Sequence, residues 1–139
     1  MEQNFLIFLY TITYLDPKTN LNLYERLIRS VGNGQQAIFK LDRLYKVIEN
    51  FRNAMLEQGQ TIKTIKLYEV LINSLSKQNL KITRFHTYFL EACLISKMYK
   101  SALRIIDVPI VQLDSKSCVN EEDVLNFFYF SGCIYLGLK

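Results

Sequence analysis

Apolar residues recur three and four positions apart along most of this chain, the spacing that lines up side chains on one face of an α-helix. The pattern is clearest over 36–58, where Ala37, Leu41, Leu44, Ile48, Phe51 and Met55 share a single stripe. Gly59 follows as a stop signal, and residues 61–77 repeat the pattern with Ile65, Tyr68, Ile72 and Leu75 behind Thr61 as the expected N-cap. So short a connection predicts an antiparallel pair. Further helices are predicted over 3–15, closed by Asp16-Pro17, and over 23–31, closed by Gly32-Asn33-Gly34. Two more cover 83–97 and 99–106, the latter broken by Val108-Pro109, and residues 107–119 carry little periodicity. The last helix spans 121–138. Asn120 can cap it, and Glu121, Glu122 and Asp123 suit the positive end of its dipole. Its expected packing stripe is Val124, Phe128, Ser131, Tyr135 and Leu138. No segment reads as a strand. The expected fold is therefore all-α and a single domain over 1–139.

Two segments of the second half share a pattern. The first places Phe89, Leu90 and Cys93 on one helix and Tyr99, Ala102 and Leu103 on the next. The second places Phe128, Ser131, Gly132 and Tyr135 on the last helix. Large, small and aromatic residues at these intervals look like a tetratricopeptide-type repeat, in which Ala102 and Gly132 would mark close helix crossings. Matching Leu90 with Gly132 gives an offset of 42 residues. The usual period is about 34, and the irregular 107–119 accounts for the excess. This pattern predicts a right-handed α-solenoid. The partner of the last helix would have to follow Lys139, so the chain reads as a truncated fragment with Phe128, Tyr135 and Leu138 uncovered.

Composition supports long helices, because only five Gly and two Pro occur in 139 residues. The net charge of +4 is concentrated in 35–104, with twelve bases and five acids, but the bases lie singly and read as a solvated helix face. Cys93, Cys118 and Cys133 show no metal or disulfide spacing and read as small apolar residues. The apolar run Phe5–Leu15 is too short to span a bilayer, and no basic residue precedes it as in a signal peptide.

Candidate chemistry is sparse. His86 is the sole histidine. It lies seven residues from Cys93, about 10 Å along a helix and too far for a nucleophile–base hydrogen bond. It reads as structural. Glu121–Asp123 read as a helix start rather than a metal cluster, Gly32-x-Gly34 follows a helix and not a strand, and Phe127–Phe130 read as core. No catalytic, cofactor-binding or metal residue is expected.

The stretch Ala92-Cys93-Leu94, then Tyr99-Lys100-Ser101-Ala102-Leu103, Asp107-Val108 and Phe127-Phe128-Tyr129-Phe130-Ser131-Gly132-Cys133-Ile134-Tyr135-Leu136-Gly137-Leu138-Lys139 resembles the COP9 signalosome subunit 3 family. Asn53–Glu57 and Ile82–His86 look like matching helix segments upstream. The resemblance covers about 20–139 and is specific from 83 onward. It implies a non-catalytic scaffold subunit whose helical-repeat arm leads into a winged-helix PCI domain. The assembled complex removes Nedd8 from cullins with a metalloprotease on another chain. The implied partners are other signalosome subunits, with no cofactor, small-molecule substrate or membrane, in cytoplasm and nucleus. These residues contain no PCI pattern and begin later than family members usually do. Two alternatives stay open: a proteasome-lid or other PCI-type scaffold, and, from the basic middle, a helical repeat that binds nucleic acid.

Overall fold

The computed structural model describes residues 7, 9–12, 14–31, 41–76, 82–107 and 120–139. Among them every regular element is helical: α1 (Leu21–Val31), α2 (Leu41–Glu57), a 3-10 turn (Thr61–Thr64), α3 (Ile65–Ser76), α4 (Arg84–Ile95), α5 (Tyr99–Ile106) and α6 (Glu121–Gly137). Residues 9–12 are also helical, and Tyr14 already lies in a turn. Ala37, Gly32 to Gly34, Val108-Pro109, Cys118 and most of 107–119 lie outside the described residues, as do the side chains of Leu41 and Leu75.

Local chemistry explains where the helices stop. Gly59 adopts φ 66° just past α2, and Gln60 N–H donates to the Met55 carbonyl at 3.0 Å. That closure satisfies a carbonyl the helix end leaves free. After α4 the same geometry falls on Lys97, at φ 57°, with Met98 N–H reaching the Cys93 carbonyl at 2.8 Å. The expected continuation of this helix to 97 therefore ends at Ile95. The expected Thr61 cap is corrected too. Gln60, which closes α2, is also the cap residue of the next turn, so Thr61 is already inside the 3-10 turn. It is buried there and its carbonyl accepts the Thr64 hydroxyl at 2.6 Å.

The core forms around α4, which packs on α3, α5, α6 and the 3-10 turn, while α1 packs on α3. The predicted stripe residues Leu44, Ile48, Phe51 and Met55 of α2 are all buried, as are Ile65, Tyr68 and Ile72 of α3. Phe51 stacks on Tyr24 of α1 with centroids 5.7 Å apart. The Tyr24 hydroxyl, itself buried, donates to the carbonyls of Ile12 and Leu15 at 3.0 and 3.1 Å. Ser74 of α3 likewise donates to the Val31 carbonyl at the end of α1, at 2.8 Å. Aromatic mass fills the interior while its polar tips tie successive segments together.

The packing face of α6 differs from the expected one. The buried residues are Asp123, Phe127, Ser131 and Ile134, whereas Phe128, Tyr135 and Leu138 are exposed. The buried face is displaced to the preceding residue at three positions, Asp123, Phe127 and Ile134, while Ser131 belongs to both stripes. The reason is its first turn, which is locked to α4 through Asp123, as described below.

Candidate functional site

The polar chemistry gathers where α2, α4 and α6 meet. It begins with the caps. Thr83 is extended and precedes α4, and His86 occupies the third helical position. Thr83 N–H donates to His86 Nδ1 at 2.9 Å, with Thr83 Oγ1 3.1 Å from the same nitrogen. A ring nitrogen that accepts a backbone N–H is unprotonated, so the proton of the neutral ring sits on Nε2. Burial lowers the His86 pKa to about 4. The ring packs edge-on to Phe127 at 6.0 Å, joining α4 to α6. Cys93 is fully buried on the same helix, and burial pushes its thiol up to about 12. Neither half of a Cys–His pair is poised for proton transfer, because one is a helix cap and the other a packed apolar side chain.

The second cap builds the α4–α6 junction. Asn120 Oδ1 accepts from Asp123 N–H at 2.8 Å, and Asp123 Oδ2 accepts from Asn120 N–H at 3.2 Å. Asp123 is buried and also accepts from Arg84 Nε at 3.3 Å, while Thr87 Oγ1 donates to its carbonyl at 3.2 Å. One acid thus caps its own helix and docks it on α4. Arg84 in turn lies over the Tyr45 ring of α2 at 5.0 Å. A parallel link joins α2 to α4. Arg52 Nε and Nη2 each donate to a different oxygen of Glu91 at 2.6 Å, and its guanidinium lies over Tyr88 at 5.1 Å. Burial, then the nearby Glu49 charge, raises the Tyr88 pKa.

These groups form the floor of a cavity of about 330 Å³ completed by Glu49, Asn120, Glu122, Asn126 and Phe130. Among the described residues no three His, Cys, Asp or Glu side chains converge as metal ligands do. No described helix is long and apolar enough to cross a membrane.

The repeat positions are distributed as follows. Phe89, Leu90, Cys93 and Ala102 are fully buried, and Tyr99 and Leu103 are half-buried. Ser131 is buried and donates to the Phe127 carbonyl at 2.7 Å. Phe128 is exposed, and Tyr135 is exposed with its hydroxyl donating to Asp107 Oδ1 at 2.6 Å. A close crossing is expected at Gly132. Among the described residues a Cβ there would meet nothing within 4 Å, whereas one on Gly137 would lie 2.9 Å from the Tyr99 ring. The run Phe127–Phe130, read as core, is core only at Phe127, with Phe130 half-buried and the two residues between exposed. The ion pairs Arg52–Glu91 and Arg84–Asp123 had no signal in the sequence, since each joins residues 39 apart. The spacing Asn120-x-x-Asp123 does carry the reciprocal cap.

The family model for "COP9 signalosome complex subunit 3, N-terminal helical repeats" matches residues 6–139. A COP9 signalosome complex subunit 3 of Dictyostelium discoideum is 30% identical over 110 residues, covering 77% of this chain and 26% of that protein. One from Arabidopsis thaliana is 27% identical over 119 residues, covering 84% of this chain and 26% of that protein. The chain thus spans about a quarter of the length of these relatives. No solved structure matches. With the match running through every described helix, the chain belongs to the COP9 signalosome complex subunit 3 family, in the region of its N-terminal helical repeats.

Proposed function

We propose that this chain is a non-catalytic scaffold segment of the COP9 signalosome, supporting the assembly that removes Nedd8 from cullins of ubiquitin ligases in cytoplasm and nucleus. The observation that carries this reading is the family match over 6–139. The geometry agrees with it. The sole histidine is spent on capping α4, and Arg52 and Arg84 at the α2–α4–α6 junction are held in ion pairs with Glu91 and Asp123. Successive helices packed on one another extend into a right-handed solenoid, whose long surface presents side chains to neighbouring subunits.

The test is affinity purification of the full-length protein, with and without residues 6–139, from its own cells. The intact protein recovers the other signalosome subunits and Nedd8–cullin hydrolysis, and the deletion loses one or more subunits. Recovery of no signalosome subunit by the intact protein would end this reading. A deletion that leaves composition and hydrolysis unchanged would end the scaffold role of this segment.

A further inference from the structure

We propose that the cavity between α2, α4 and α6 is a docking notch for an arginine side chain carried by an extended segment of a protein partner. The inference rests on the reading that this chain is a scaffold, and it names the chemistry of one contact.

Charge sets the sign of the guest. Four carboxylates line the cavity, Glu49, Glu91, Glu122 and Asp123, against two guanidinium groups, Arg52 and Arg84, so the sum of −4 and +2 is −2. Arg52 is committed to Glu91 and Arg84 to Asp123. The surplus therefore sits on Glu49, on the α2 wall, and Glu122, on the α6 wall. Among the described residues Glu49 has only the exposed Lys46 at 3.4 Å, a contact worth little in water. Glu122 and Asn126 make no hydrogen bond or ion pair among the described residues. The two surplus acids face a cavity already rigid, because each floor arginine is held by a carboxylate and an aromatic ring. Little side-chain ordering is left for binding to cost.

Shape and ring chemistry select arginine. No three of the lining carboxylates gather as metal ligands do, so the cavity lacks the full ligand set a divalent ion takes. A volume of about 330 Å³ is generous for one side chain and its water. A guanidinium offers donors in several directions at once, and Glu49, Glu122 and the Asn126 side-chain oxygen, all lining the cavity, are acceptors for them. Its flat face can lie on the half-buried Phe130 ring, which also lines the cavity. An ammonium is a point charge with no such face, so lysine is the poorer guest.

The test uses the full-length protein and fluorescent nine-residue Gly/Ser peptides carrying three arginines, three lysines or three citrullines, citrulline being the neutral isostere of arginine. Anisotropy at low salt should rank arginine above lysine, with citrulline at background. Substituting both Glu49→Gln and Glu122→Gln should weaken the arginine peptide about tenfold, and Glu121→Gln, whose side chain is outside the cavity, should not. Unchanged melting of each variant shows that folding is not the cause. Equal binding of arginine and citrulline peptides, no binding at all, or an undiminished affinity of the double variant would overturn the notch. Subunit recovery is measured in parallel. A protein that assembles but does not distinguish arginine from citrulline loses the notch and keeps the scaffold role. One that distinguishes them but recovers no signalosome subunit does the reverse.

Discussion

Gly137, the last residue of α6, lies against the Tyr99 ring at the start of α5, where an added Cβ would sit 2.9 Å from Cε2 and 3.0 Å from Cζ. Five residues earlier, Gly132 has open space around it among the described residues. The two glycines of one helix therefore behave in opposite ways. Gly132→Ala should stabilise by about 0.5–1 kcal/mol, because alanine loses less backbone entropy in a helix. Gly137→Val should destabilise by about 1–3 kcal/mol through overpacking against Tyr99. Thermal unfolding followed by circular dichroism checks both. Equal effects at the two sites would contradict the geometry.

His86 predicts a pH dependence with a definite sign. Its folded pKa of about 4 lies below the ordinary 6.5. Between those values the unfolded chain binds the proton and the folded one does not, so stability falls as pH drops from about 6.5 to 4 and levels off below. The gap corresponds to about 3 kcal/mol. His86→Gln keeps a capping side chain at the third helical position without the titration. It should remove most of that slope in denaturant titrations run at pH 4 to 7. A slope unchanged in the variant would mean that other groups carry it.

Lys97 holds a left-handed backbone at φ 57° to close α4. The side chain is exposed, so the cost is conformational rather than a matter of packing. Lys97→Gly should raise stability by about 1 kcal/mol. An urea midpoint that falls, with the slope of the transition unchanged, would count against a strained closure.

The cysteines should differ in reactivity. Cys93 is fully buried with its thiol pushed up to about 12, while Cys133 is half-buried. At pH 8 a maleimide should label Cys133 in the folded protein and Cys93 only after denaturant is added. Peptide mass spectrometry reads the order. Early modification of Cys93 would show that α4 opens without global unfolding.

Much of this architecture is determined within a few residues of chain. The 3.6-residue periodicity of Leu44, Ile48, Phe51 and Met55 makes α2 and chooses its buried face, because only one face of that segment is apolar. Gly59 as a stop, Asn120 as a start, and a histidine without chemistry are likewise local matters, governed by capping bonds that span three or four residues. The tertiary structure alone decided the rest. Helix α6 is apolar on most of its circumference, so its sequence offers more than one packing face. Asp123, held by Arg84 and Thr87 of α4, selects the face of Phe127, Ser131 and Ile134 and leaves Phe128 outside. Which glycine meets a neighbour, Gly137 rather than Gly132, follows from that choice of face. The pairs Arg52–Glu91 and Arg84–Asp123, each 39 residues apart, exist only once packing has brought three helices together. Hydrogen bonds within a helix are fixed by chain geometry, but the meeting of two helices is fixed by whatever surface each finds, and that surface is written elsewhere in the chain.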